Sequence, residues 1–401
     1  MSEAALLQGN IYKQFARYVS LNIISMLGLS IYIVADTFFV ANGIGLAGLV
    51  ALNLSLPVFG FVVGIGWLIG MGGATLFSIS LGKGERENLD IIFSQSLTLG
   101  IILSIIVVLI GFFFSTDISR LFGAKGVNLP LTDTYIKTVM MFAPAFIINN
   151  IMIAFNRNDG RPNIAMIAML SGSLGNIVFD YIFIYPLQMG IFGAALATGF
   201  SPLFSLFILS FPFFQKKTSF HFTHLLLIKN LIGRIFSLGM SFFINEISGG
   251  VIIFLFNTVV LAIAGDMGVA AYGIIANVSM VGTAIFAGMG QGVQPLLSIN
   301  FGSGKKKNLR KLLFCGLSLA FVFGIAFYAF SYLFADEIAS VFNKDNDPIL
   351  NTMTIKGMKI YFTAYVVMGL NIIATSFLVS IDRAKLSFVL ALLRGFVLIT
   401  I

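Results

Sequence analysis

Between Asp36 and Lys83 the chain carries no charged side chain. A run of that length is too apolar for a loop and too long for an ordinary core helix, so its natural solvent is lipid. In hydrocarbon every backbone N–H and C=O must be satisfied inside the protein, and uninterrupted apolar runs do this as transmembrane α-helices. The whole composition agrees: 58% of residues are hydrophobic and 10% charged, against about 25% charged in soluble domains. The chain reads as an all-α polytopic membrane protein. Lys13 and Arg17 precede a first apolar run that is too long for a signal-peptide core and lacks a small-residue cleavage site, so that segment is expected to persist as a helix.

Runs of membrane-crossing length fall near 15–40, 48–80, 90–114, 132–156, 163–185, 190–214, 236–264, 268–300, 311–334, 355–380 and 386–401. Charge decides whether 48–80 is one helix or two. If it is one, the loops KGERE, NRNDGRP, GSGKKKNLRK and DRAK and the segment 215–235 all share a side with the N-terminus. That side then holds 17 of the 24 Lys and Arg residues. By the positive-inside rule it is cytoplasmic. The formal net charge of +8 is thus a topology signal, and nucleic acid is not an expected partner.

Sliding the sequence along itself until Gly82 meets Gly302 places LFSISLGKGERENL (76–89) over LLSINFGSGKKKNL (296–309). Across 45–89 fourteen residues coincide, six of them glycines: Gly45/Gly265, Gly48/Gly268, Gly70/Gly290, Gly72/Gly292, Gly82/Gly302 and Gly84/Gly304. Glycines at fixed places mark close helix packing or backbone turns, so their coincidence outweighs that of apolar residues. Six helices separate the copies, which gives both halves the same orientation, the parallel-repeat layout of two-lobed transporters. The expected division is a first lobe over 1–214, a cytoplasmic linker over 215–235 and a second lobe over 236–401. The segment 190–214 should recur near 410–434, so eleven of twelve expected helices are present and the chain reads as truncated.

Of the 16 acids, six lie in loops on the cytoplasmic side, seven outside, and three within spans: Asp36, Asp180 and Glu246. A carboxylate in mid-membrane costs several kcal/mol and defaults to a functional reading. Asp36 and Asp180 both fall in the outer halves of outward-running helices, at similar depth. Tyr32 precedes Asp36 and Asn176 precedes Asp180 by four residues, on the same helix faces. Asn149 and Asn150 interrupt helix four and Thr198 helix six; taken singly, each fits an interhelical hydrogen bond. With Lys137, Lys311, Lys356 and Lys359 counted with the loop charges near the span ends, no Lys or Arg is expected deep within the first-lobe spans and only Arg394 deep within any span. Protonation is then the alternative to an ion pair, because burial and a nearby like charge both disfavour the ionised form.

The segments YIVADTFFVANGIGLAGLVALNLSLPVFG, GMGGATLFSISLGKGERENL, GNIVFDYIFIYPLQMGIFGAALAT and DRAKLSFVLALLRG resemble, in order and over essentially the whole chain, the multidrug and toxic compound extrusion (MATE) family, in its bacterial branch near the DinF-like proteins. The resemblance implies two six-helix lobes around a cleft and export of small cationic, amphipathic organic compounds in exchange for H⁺ or Na⁺. It implies a monomer in the bacterial inner membrane with a cytoplasmic N-terminus and no cofactor beyond the coupling ion. Carried over residue by residue, it places Asp36, Asn176, Asp180, Thr198, Tyr32 and Asn150 in the first-lobe cavity. Glu246 matches an acid used for cation coupling in some members. The 43 Phe and 16 Met suit an adaptable apolar cleft, although most must simply face lipid or other helices.

Three other readings compete. A flippase for lipid-linked oligosaccharides or lipid II, from the same superfamily, would want cleft Arg or Lys for pyrophosphate. A membrane enzyme would need an assembled nucleophile or metal set such as HExxH, which the sequence lacks. With one cysteine (Cys315) and two histidines (His221 and His224), disulfide, zinc and other metal chemistry have no basis. A purely structural membrane protein leaves the three lone acids unexplained.

Overall fold

The lobes are built from long helices whose ends are set by local chemistry. A computed structural model describes residues 9–225, 227–343 and 347–397. Asn10 starts α1 (Ile11–Gly43) by accepting from the Tyr12 and Lys13 N–H groups at 3.0 and 3.3 Å. The uncharged run becomes one helix, α2 (Leu46–Lys83), followed by α3 (Glu87–Leu121). The expected fourth span is broken. Helices α4 (Asn128–Met141) and α5 (Ala143–Asn158) meet at 48°, because Pro144 in the first turn of α5 has no N–H to continue the ladder. Helices α6 (Pro162–Ile184) and α7 (Gly190–Phe214) complete the first lobe.

The second lobe repeats this pattern. Helix α8 (Lys229–Gly302) runs 74 residues but breaks at Gly265, whose φ of 62° and ψ of −160° are not helical. Gly45, its mate in the repeat, starts α2 with φ 85° and ψ −165°. Both are positive-φ positions that favour glycine. The break therefore divides α8 into the two expected spans, 229–264 and 266–302. Then come α9 (Lys306–Leu333), α10 (Ala335–Phe342), α11 (Pro348–Tyr361), α12 (Tyr365–Ser380) and α13 (Ala384–Leu392), the last running into a π-helical turn at Leu393–Val397. Among the described residues, and with α8 counted once, eight helical runs are long and apolar enough to cross a bilayer, or nine if the bent pair is one span. Of the expected last span, 386–401, the final four residues lie outside the described ones, as do Lys344, Asp345 and Glu3 among the loop charges.

The lobes meet at the end that carries the basic loops. A side chain on Gly82 would collide with the Ile299 carbonyl, and one on Gly302 with the Ile79 carbonyl. Each contact is the other carried through the repeat. The two halves are thus related by a pseudo-two-fold axis between α2 and the second half of α8. Further along, Gly72 lies against Ile235 and Gly292 against Tyr18 and Val19, and Phe61 meets Phe243 edge-on at 5.9 Å. At the far end Gly45 and Gly265 have nothing within 4 Å. The lobes are closed at the basic end and part toward the other.

The linker is docked rather than free. Phe220 is fully buried in a cluster with Phe77, Phe93, Phe155 and Phe213. Its neighbours' N–H groups are taken up by first-lobe side chains: Ser219 donates to Asp159 at 3.2 Å, His221 to Asp90 at 2.6 Å, Thr223 to Ser94 at 3.1 Å and Ile228 to Gln95 at 2.7 Å. The second lobe's helix begins at once, at Lys229, inside the stretch expected as linker.

Candidate functional site

The first lobe holds its polar residues near the open end, where α1, α4, α6 and α7 converge. Asp36 sits seven residues before the end of α1 and Asp180 four before the end of α6, so both lie within about 10 Å of their helix ends at 1.5 Å per residue. Asp36 is 7% exposed and Asp180 fully buried. Their carboxyl groups are within hydrogen-bonding contact of each other. One oxygen of each has no other donor. A hydrogen bond between two carboxyl groups needs a proton on one of them, and a single shared proton satisfies both. Among the described residues no basic nitrogen lies within 4.0 Å of either group.

Asn176 ties this pair to α7. With its amide oriented to satisfy both ends, Nδ2 donates to Asp180 Oδ2 at 2.9 Å and Oδ1 accepts from the Thr198 N–H at 3.2 Å. Pro202, four residues on, has no N–H to offer the Thr198 carbonyl, so the α7 ladder is interrupted at this point. Ser201 adds a second tie between the two helices, donating to the Gly172 carbonyl at 2.9 Å. Tyr32 is buried beside the carboxyl groups. Tyr135, buried on α4, lies beside Thr198 and completes the cluster. Sequence reasoning misses Tyr135, whose only signal is a phenol in an otherwise apolar stretch of the fourth span. Phe39, Tyr181 and Tyr185 pack together between α1 and α6, with ring centroids 5.7 to 6.4 Å apart.

One expected member of the first-lobe cavity, Asn150, lies elsewhere, and Glu246, expected apart from it, lies in the second lobe. The Asn150 amide donates to the Val63 carbonyl at 3.2 Å, against Gly66 of α2, which makes it a tie between α5 and α2. Glu246, on α8, is exposed and faces the space between the lobes opposite Gly64. Its neighbour Asn245 accepts from Arg394 at 2.6 Å.

The structure also corrects the count of membrane-embedded cations. The sequence pattern puts Arg157 in a solvated loop, but α5 extends to Asn158 and turns the Arg157 side chain inward, where it is fully buried between the lobes. Its Nη1 donates to Asn22 at 2.6 Å and Gln291 at 2.7 Å, its Nη2 to Met71 Sδ at 3.2 Å, and its guanidinium stands 5.8 Å from the Trp67 ring. Arg394 is therefore not the single intramembrane cation.

A helical, two-lobed, internally repeated membrane protein with a buried carboxyl pair in one lobe belongs to the class of polytopic membrane transporters. The family model described as MatE matches residues 22–182 and 224–401. The chain belongs to that family. It is 29% identical over 355 residues to the multidrug export protein MepA of Staphylococcus saprophyticus, covering 88% of this chain and 77% of that protein. With MepA of Staphylococcus aureus it shares 30% over 357 residues, at the same coverage. A crystal structure of MATE in complex with MaL6 superposes with a TM-score of 0.93 at 26% identity, covering 99% of this chain and 89% of that one. An outward-facing multidrug resistance MATE transporter of the MOP superfamily superposes with a TM-score of 0.90 at 25% identity, over 99% and 88% of the two chains.

Proposed function

We propose that this protein is an antiporter that exports small amphipathic organic cations across a bacterial cytoplasmic membrane, driven by inward flow of H⁺ or Na⁺. The observation that carries the reading is the Asp36–Asp180 carboxyl pair, buried in the first lobe with no basic partner among the described residues. Such a pair is neutral overall only with protons or a bound cation. A cationic substrate entering the same lobe takes over the neutralising role, so substrate and coupling ion exclude one another and exchange follows. Asn176, Thr198, Tyr135 and Tyr32 hold the pair in place, and Glu246 offers a second carboxylate to cations in the cleft.

The basic end, with the N-terminus, is assigned to the cytoplasm by its excess of Lys and Arg. The lobes close at that end, so the cleft faces outward. The MepA proteins are named for multidrug export, which supports the substrate class. The test is efflux of a fluorescent organic cation from proteoliposomes under an imposed pH gradient, then under an imposed Na⁺ gradient. Efflux driven by either supports the reading and names the ion. Efflux that neither gradient changes would refute it.

A further inference from the structure

Arg157 is the feature of the molecule that the carboxyl pair leaves unexplained. Its guanidinium is fully buried at the closed end of the cleft. No carboxylate lies within 4.0 Å of it among the described residues. Nε has no hydrogen-bond partner. The partners of the two Nη atoms are neutral, and two of them, Met71 and Gln291, occupy equivalent positions in the two halves of the repeat. The cation therefore sits on the pseudo-two-fold axis, held from the first lobe by Asn22 and Met71 and from the second by Gln291. Met71 and Gln291 each lie about three turns from the basic end of their helices, α2 and α8, so the guanidinium is about 16 to 18 Å inside that end. The next residue continues the seam. Asn158 accepts from Ser78 at 2.7 Å and donates to Gln294 at 3.3 Å, and Gln294 donates to Thr75 at 3.0 Å.

We propose that Arg157 sets the balance between the two access states: it makes closure of the basic end conditional on Gln291, by burying a cation that Asn22 and Met71 of its own lobe compensate only in part and that Gln291 of the opposite lobe completes. The proposal rests on the transporter reading, in which the lobes must rock so that this end opens. A buried cation loses its water and recovers stability only through hydrogen bonds to its new partners. When the lobes part, Gln291 leaves with the second lobe and water takes its place around the guanidinium. Closing costs that hydration, and the charge-assisted bond to Gln291 offsets it. Arg157 is thus a positioning residue that keeps the closed state from being too stable. Removing the amide and removing the charge must act in opposite directions: the first strands a dry cation, whereas the second removes the desolvation cost, since a buried ion replaced by an apolar side chain is often neutral or stabilising.

The experiment is a distance distribution between spin labels on Glu87→Cys and Lys307→Cys, exposed repeat mates at the basic end, in a Cys315→Ser background and in nanodiscs. It reads lobe opening without transport, so it can fail while efflux succeeds, and the reverse. Gln291→Leu is expected to raise the open-to-closed ratio by about tenfold, the size of a hydrogen bond to a charged group. Adding Arg157→Met to it should restore the short distance. Gln291→Glu, which supplies a counter-charge and keeps the shape, should favour the short distance on its own and serves if either apolar variant fails to fold. A double variant as open as Gln291→Leu, or a Gln291→Glu that opens the end, would overturn the proposal and leave Arg157 with only a packing role.

Discussion

Asn176 and Asp180, one turn apart on α6, are joined by an amide-to-carboxylate hydrogen bond of 2.9 Å. The bond fixes one oxygen of Asp180 and leaves the carboxyl group's other side to Asp36. An amide at position 180 keeps the shape but loses the titration. Asp180→Asn and Asp36→Asn are each expected to reduce coupled efflux at least about tenfold, the low range of a coupling free energy, while membrane insertion and expression are retained. Efflux assays normalised to protein in the membrane check this, and normal efflux by either variant would remove the pair from the coupling role. Glu246→Gln should change sodium dependence more than maximal efflux.

The shared proton gives a sign for pH. A cationic substrate binds best when the pair is unprotonated, so affinity should rise with pH and binding should release protons. Calorimetry of one cationic substrate in buffers of different ionisation enthalpy counts them. The wild type should release protons and Asp180→Asn should not. Equal counts for the two would leave Asp180 with a packing role.

Tyr135 supplies a smaller, separable effect. Tyr135→Phe removes the phenol hydroxyl beside Thr198 without opening a cavity. The loss is about 1 kcal/mol, so substrate affinity should weaken by about fivefold with little change in thermal stability. A titration of a fluorescent cation against the purified variant measures it.

Phe220 tests the docked linker. Phe220→Ala removes a fully buried ring from a five-phenylalanine cluster, a change that costs about 3 to 5 kcal/mol in a core. The linker should lift from the first lobe and free the backbone around Lys216 and Lys217, whose side chains are already exposed. Limited trypsin digestion is expected to cut there well before it cuts the wild type, and an unchanged digestion pattern would show that the hydrogen bonds to Asp159, Asp90, Ser94 and Gln95 suffice.

Much of this can be read from the sequence because membrane folds are written in coarse signals. Apolar runs locate nearly every span, and the six coincident glycines locate the axis, since Gly82, Gly302, Gly45 and Gly265 each act through backbone geometry that tolerates little else. Asp36, Asp180, Asn176, Thr198 and Tyr32 stand out as polar residues on apolar helices, and the fold brings all five together. Arg157 is hidden for the opposite reason. It stands between asparagines at a helix end beside Asp159 and Arg161, where charge reads as solvated, and only the packed lobes show that its side chain turns inward. Asn150 misleads because an interhelical amide and a cavity amide look the same in one dimension. The docked linker cannot be foreseen, because its anchors Asp90, Ser94 and Gln95 lie four helices earlier in the chain.

The reciprocal contacts of Gly82 with Ile299 and of Gly302 with Ile79 carry a historical consequence. In a dimer of identical six-helix chains, one glycine in the gene would have formed both contacts, and any larger residue there would have been penalised twice. In the fused chain that position stands twice, and the geometry requires both copies to be small. Enlarging either glycine would force the same seam apart, whereas the carboxyl pair is held in one half alone.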